Sequence, residues 1–322
     1  MKRSTSQKNQ RLSAGQTKIK VIGIGGSGGN AISRMAVSKI EGVDLIAINA
    51  DIQDLKKSQA DFKLQIGKIS TKGLGAGMNP KVGEIAAKEN QKEIQEILKG
   101  TDMVFIACGL GGGVGTGAAP VVADIARKEG ILTVAVVTKP FSFEGIPRSK
   151  IAEQGLENLK NKVDTLLVIP NDRILNMVEP GASVFSAFWV CDDILRQAVQ
   201  GISDLITLPG IINIDFADLK SIMKNSGPAL LGVGKASGEK RIETALNLAI
   251  NSPLLDGNSL KKGKAVLFNI SGGKDLTLEE VNFAAQEIKK TADPAAKVIF
   301  GAVQDRNLAE GELKIMVILT GF

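Results

Sequence analysis

From Lys18 onward, short apolar runs alternate with longer stretches of helical period. Lys18–Ile24 (KIKVIGI) predicts a buried strand, Gly25–Gly29 a glycine loop, and the stretch from about Asn30 to Ile40 a helix. Val43–Asn49 predicts a second strand. Behind Pro80, a residue suited to a helix start, Val82, Ile85, Ala86, Ile94, Ile97 and Leu98 recur at helical spacing and predict one helix over Pro80–Lys99. Met103–Cys108, Ile131–Thr138 and Asp164–Ile169 predict further strands. Repeated βα units of this kind build a parallel sheet with helices on both faces.

Between Ser183 and Ile206 the apolar positions lie on nearly every side (Val184, Phe185, Phe188, Trp189, Val190, Ile194, Leu195, Val199, Ile202, Leu205), which predicts a long helix buried between two layers. Pro209-Gly210 ends it, and a shorter helix starts near Asp215. Pro228–Lys235, Lys264–Ser271, Lys297–Val303 and Leu313–Thr320 predict strands, with helices over Glu239–Asn251 and Thr277–Lys290. The expected fold class is α/β: a doubly wound, mostly parallel, Rossmann-like sheet joined by a long central helix to a smaller α/β domain. The boundaries expected are a disordered basic tail over 1–17, a first domain over 18–182, the central helix over 183–206, a loop and helix over 207–225, and the second domain over 226–322.

Composition narrows the chemistry. With 23% charged residues and no apolar run near the roughly 20 residues of a bilayer span, direct membrane insertion is not expected. The net charge is +6, but Lys2, Arg3, Lys8 and Arg11 sit in an acid-free start. The body is therefore nearly neutral and gives no ground for a nucleic-acid partner. Histidine is absent, which excludes a Ser-His-Asp or Cys-His nucleophile and any imidazole base or ligand. Two cysteines, Cys108 and Cys191, offer neither a disulfide framework nor a zinc site. The start of the chain lacks the apolar core of a secretory leader, so a cytoplasmic location is expected.

Gly23-Ile24-Gly25-Gly26-Ser27-Gly28 matches G-x-G-x-x-G between a strand and a helix, and Asp51 follows the second strand about where a dinucleotide fold places its ribose acid. A nicotinamide-dependent oxidoreductase is one reading of that pattern. A second segment weighs against it. Gly109–Gly117 (GLGGGVGTG) holds six glycines in nine residues, bare backbone whose N–H groups can converge on an anion at a helix start. A third, Gly73-Leu74-Gly75-Ala76-Gly77, also precedes a helix. Several such loops suit a longer phosphate chain, such as a triphosphate, and no P-loop motif is present.

GGSGGN at 25–30, TKGLGAGMNP at 71–80, GGGVGTGAAP at 111–120, VTKPFSFEG at 137–145, VQGISDLI at 199–206 and NIDFADL at 213–219 carry a resemblance, in order along the chain, to the FtsZ/tubulin family of cell-division GTPases. The resemblance implies a polymerising GTPase that uses GTP, GDP and Mg2+. It places Gly26, Ser27, Gly28, Gly29 and Asn30 at the α- and β-phosphates and toward the guanine. Gly112, Gly113, Val114, Gly115, Thr116 and Gly117 would cradle phosphates, with Thr116 offering a hydroxyl, and Ala76 and Gly77 would lie by the γ-phosphate. Glu144 would bond the ribose, with Arg148 near ribose and phosphates and Asn171 also at the nucleotide. Phe188 would stack on the base, and Asp192 would accept from the guanine N1 and N2 edge. Taken singly, Phe188 also reads as core, Glu144 and Arg148 as a surface pair, and Asp192 as a solvated helix residue.

This chain departs from the family at Val114, where threonine is usual; the missing hydroxyl bears on turnover more than on binding. Nothing after the last predicted strand corresponds to the family's linker and C-terminal docking peptide: either the sequence is a piece of a longer protein or this member works without that contact, and membrane adaptors and other division proteins are expected as possible partners. Asn213, Asp215 and Asp218 follow the central helix, and a helix start at Asp215 accounts for one of these acids by capping alone. About 14 helical residues separate Asp192 from Ile206, roughly 20 Å. If the base sits at the first end, these acids reach a neighbour's γ-phosphate and not their own, which requires head-to-tail stacking into a filament. The expectation is hydrolysis in trans at a division site. A filament protein that holds GTP without hydrolysing it shares the same motifs.

Overall fold

The computed structural model describes residues 17–178, 181–208, 210–255, 259–305 and 308–322. Residues 1–16 of the basic tail and Pro209, expected to end the central helix, lie outside the described residues. The first half runs β1 (Ile19–Ile24), α1 (Gly25–Val37), β2 (Val43–Asn49), α2 (Ile52–Lys57), β3 (Phe62–Gln65), α3 (Pro80–Glu89), α4 (Gln91–Leu98), β4 (Met103–Gly109), α5 (Gly113–Lys128), β5 (Leu132–Lys139), α6 (Ile146–Lys160), β6 (Thr165–Pro170) and the single turn α7 (Asn171–Ile174). Then come the long helix α8 (Val184–Thr207), β7 (Gly210–Ile212), α9 (Phe216–Met223), β8 (Gly227–Ser237), α10 (Arg241–Ile250), β9 (Ala265–Gly272), α11 (Leu278–Thr291), β10 (Lys297–Gln304) and β11 (Glu312–Thr320).

The strands form one sheet in the order β3-β2-β1-β4-β5-β6-β8-β11-β9-β10-β7. Pairing is parallel from β3 through β6 and on to β8. β11 runs antiparallel to both its neighbours, and β7 runs antiparallel to β10. The two halves are stitched where β6 meets β8, through the pairs Thr165–Gly227, Leu166–Pro228 and Leu167–Ala229.

Strand alternation sorts the apolar residues onto two faces. Ile22, Ile46, Val104 and Ile106 pack on one side beneath α3, α4 and α5; Val21, Leu45, Met103 and Phe105 face α1 and α8 on the other. The second cluster continues through Leu195, Val199 and Ile202 of α8 to Leu231 and Met316 of the second half, so α8 is the shared wall of a core spanning both. A third cluster lies between α10, α11 and the outer face of β9–β11.

Three sequence expectations need correction. The helix expected over Pro80–Lys99 is two helices, broken at buried Asn90, whose backbone (φ −109°, ψ 29°) leaves the helical region. Its side chain competes for backbone groups: Oδ1 accepts the Gly67 N–H at 2.9 Å while Nδ2 donates to Glu93 at 3.1 Å. Next, the glycine segments are largely helix. α1 begins at Gly25 and α5 at Gly113, because contact overrides low glycine propensity. A Cβ on Gly28 would come within 2.4 Å of the Ala107 carbonyl, so α1 lies against β4 only with glycine there. Finally, α8 is buried only beyond its first turns. Val184, Phe185 and Trp189 are 61%, 88% and 51% exposed, since the helix begins outside the two layers that enclose the rest. Among the described residues no helix is long and apolar enough to cross a membrane.

Candidate functional site

A cavity of about 440 Å³ opens beyond the carboxyl ends of β1, β2, β4, β5 and β6, the position where open α/β sheets take their ligands. α1 and α5 start at it, neither with a side-chain cap, so unpaired N–H groups and the positive ends of two helices converge there. That arrangement selects an anion.

Gly26, Ser27, Ala76, Gly77, Gly112, Gly113, Val114 and Gly115 line the wall. Their roles divide. The Gly113 N–H donates to the Gly77 carbonyl at 2.8 Å, and a Cβ on Gly113 would come within 2.4 Å of that oxygen. Gly113 therefore locks the second glycine segment onto the third. Gly112, the residue preceding α5, has open space where a Cβ would stand and faces the cavity without supporting it.

Five expected residues are not brought to the cavity. Thr116 is buried off the cavity wall, its Oγ1 accepting the Gly111 N–H at 2.9 Å, so its hydroxyl oxygen braces the loop. Gly117 packs α5 against α3, where a Cβ would meet the Pro80 carbonyl at 2.0 Å. Gly28 lies underneath, against Ala107, and Gly29 and Asn30 border a small side recess beside Gly26 and Asp54.

At the other end, Glu144, Arg148, Asn171, Phe188 and Asp192 all line the cavity. Arg148 donates to Glu144 Oε2 at 2.7 Å, and Glu144 Oε1 accepts the Phe141 N–H at 2.9 Å. Phe188 is 38% exposed and meets Phe141 edge-on at 5.2 Å, so it is not a core residue. Asn171 is buried, and its Oδ1 has no hydrogen-bond partner, an acceptor on the cavity wall left for a ligand donor. Asp192 is 7% exposed; burial pushes its carboxyl up to about 6, with Arg34 pulling the other way. The Cys191 thiol beside it is pushed up to about 12 by burial and is no nucleophile at neutral pH.

Asn213, Asp215 and Asp218 lie past the far end of α8, exposed and away from this cavity. From Asp192 to Thr207 the helix spans roughly 22 Å. Asp215 caps α9, its Oδ1 accepting the Asp218 N–H at 2.7 Å, and Asn213 Oδ1 accepts the Gly210 N–H at 2.7 Å. Residues that sequence reasoning did not assign to the site include Asn49, Asp54, Thr138 and Cys191 on the wall, and Arg34 behind Asp192. Asp51, read from sequence only as a ribose acid, is on the wall too, its Oδ1 capping α2. Nothing in its spacing marks Arg34, because its partner is 158 residues away.

An anion-binding cavity at the head of a parallel sheet, with a central helix leading to a second half, defines a nucleotide-binding protein of tubulin type. The family model described as "Tubulin/FtsZ family, GTPase domain" matches residues 18–179, and that of the "FtsZ family, C-terminal domain" matches 227–322. The chain belongs to the tubulin/FtsZ family and is a GTPase. Among solved structures it is similar to an empty FtsZ dimer from M. jannaschii, with 48% identity and a TM-score of 0.92 over 96% of this chain and 90% of that one. It also shares the fold of CetZ2 from Haloferax volcanii, a protofilament with GTPgS bound, at 22% identity and a TM-score of 0.78 over 94% and 92% of the two chains. Membership in a GTPase family sets aside the nicotinamide reading of G-x-G-x-x-G and the non-hydrolysing filament.

Proposed function

We propose that this protein assembles head to tail into filaments of a cell-division ring, with GTP held between subunits and hydrolysed by help from the neighbouring subunit. The observation that carries the reading is the separation of two groups of residues by α8: the phosphate and base groups at its start, and exposed Asn213, Asp215 and Asp218 beyond its end. Stacking one subunit's far end on the next one's cavity brings them together, and such a heterologous contact propagates without closing. The FtsZ relative named above is a dimer and CetZ2 a protofilament, which supports self-association.

In this reading residues 18–182 form the GTP-binding domain, 183–206 the central helix, 207–225 the catalytic segment and 226–322 the C-terminal domain. The α1 and α5 N-termini hold the phosphates, Asn171 and Asp192 orient the nucleoside, and Asp215 and Asp218 polarise the attacking water, carboxylates being the bases available in a chain without histidine. Among the described residues no group of three or more Asp, Glu, Cys or His could cage a metal, so Mg2+ fits only as a companion of the phosphates, with Asp51 and Asp54 nearby on the wall. When bound it would offset phosphate charge. The protein works in the cytoplasm at the division site.

The test mixes two variants. Asp215→Asn keeps its own cavity, and Gly112→Asp keeps its carboxylates but repels phosphate. Each alone should hydrolyse little GTP; together they should regain phosphate release, with light scattering rising on GTP and not on ATP. Release by wild type that stays flat per subunit from dilute to concentrated protein sinks the in-trans reading.

A further inference from the structure

We propose that Arg34 is a positioning residue for guanine selection, holding the Asp192 carboxylate ionised and fixed at the base end of the cavity. The proposal rests on the reading of Asp192 as the group that faces guanine. Arg34 stands in the last turn of α1, and its Nε donates to Asp192 Oδ2 at 3.2 Å. Its guanidinium also lies 5.2 Å from the centre of the Trp189 ring. Trp189 and Asp192 are three apart on α8 and share a face, so one arginine docks on both at once.

The arrangement has a purpose that a surface ion pair lacks. The Asp192 side chain is 10% exposed and that of Arg34 28%, so water screens the contact only in part. A carboxyl left alone in such a place takes up a proton. A protonated Asp192 would turn a donor toward guanine N1–H and N2–H2, which are donors themselves, and the base would no longer be read. The charges around Asp192 leave this task to Arg34. Asp193, next along the helix, is engaged by Arg196 at 2.7 Å and Gln197 at 2.6 Å. Glu144 faces Cys191 and is paired with Arg148, and the Cys191 thiol stays neutral. Burial has already pushed Asp192 up to about 6 with Arg34 in place, so removing the cation brings its protonation into the neutral range.

The test is GDP and xanthosine diphosphate affinity from pH 5.5 to pH 8 for wild type, Arg34→Gln, Arg34→Lys and Asp192→Asn, with thermal melts as a check on folding. At about pH 6, Arg34→Gln should bind GDP about fivefold more weakly than wild type, the effect of a one-unit rise in the Asp192 midpoint, and should converge with it by about pH 8. Arg34→Lys, which keeps the charge but loses the planar fork, should fall between. Asp192→Asn should turn preference toward xanthine. If it does so while Arg34→Gln follows wild type at every pH, or loses affinity equally at every pH, the positioning role is overturned and the Asp192 reading stands. If Asp192→Asn still prefers GDP, the Asp192 reading falls and takes the proposal with it.

Discussion

Asp215 and Asp218 are joined through the backbone: the Asp215 carboxylate accepts the N–H of Asp218 at 2.7 Å and so starts the helix that carries both. The capping duty and the proposed catalytic duty fall on one side chain, and they can be separated. Asparagine caps a helix as well as aspartate does, whereas alanine does not. Asp215→Ala should lose about 1 kcal/mol of stability, and Asp215→Asn almost none. Both should bind GTP normally and lose phosphate release. If Asp215→Asn hydrolyses GTP at the wild-type rate, the carboxylate is only a cap.

Adjacent glycines should answer substitution in opposite ways. Gly112 precedes α5 with φ −95° and open space for a side chain, so Gly112→Asp places a favourable cap there and should leave the melting temperature unchanged or raised. Its carboxylate would face the phosphates, and GTP affinity should drop by about two orders of magnitude, as expected for some 3 kcal/mol of repulsion. Gly113→Ser instead drives a Cβ onto the Gly77 carbonyl and should lower the melting temperature first. Calorimetric melts paired with nucleotide titration check both.

Asn171 carries a buried acceptor with no partner. Replacing a group left unsatisfied by an apolar one of similar size is nearly neutral or stabilising in the empty protein. Asn171→Leu should therefore keep or gain stability while weakening GDP by about 1–2 kcal/mol, the worth of a hydrogen bond regained on binding. Unchanged GDP affinity would remove Asn171 from the site.

Asp204 of α8 is 1% exposed where the helix meets the second half of the sheet, near Lys314 and Asp305. Burial pushes its carboxyl up to about 7, against the pull of Lys314. The folded value lies above the ordinary 3.8, so the native state keeps a proton that the unfolded chain releases. Stability from this group is full at low pH and is lost as pH rises from about 4 through 7. Asp204→Asn, which cannot ionise, should gain on wild type between pH 5 and pH 8, by at most about 3 kcal/mol. Lys314 keeps Asp305 at 3.8 Å, so the substitution does not strand it. An equal difference between the two proteins at both pH values, measured by chemical denaturation, rules this out.

Most of the architecture was legible in sequence because strand and helix periods are local. The runs at Ile19, Met103 and Leu132, and the long apolar stretch of α8, reported themselves within their own windows. What escaped was decided across the fold. Asn90 breaks a periodic helix because Gly67, 23 residues away, offers it a backbone N–H. Gly28 and Gly117 looked like loop residues and proved to be packing contacts with β4 and α3. Thr116 sat in the right motif yet lies off the cavity wall, its hydroxyl oxygen accepting from Gly111. The exposed start of α8 was missed because its apolar residues continue the pattern of the buried part without a break.

Trp189, held under Arg34 one turn from Asp192, is the sole tryptophan of a chain that has no tyrosine. Tryptophan emission from the intact protein therefore arises at a single point of α8, next to Phe188 of the cavity wall. An indole against a guanidinium, 51% open to solvent, changes colour and intensity when that cation moves. If a base entering the cavity shifts Arg34, that emission should report it with no dye attached.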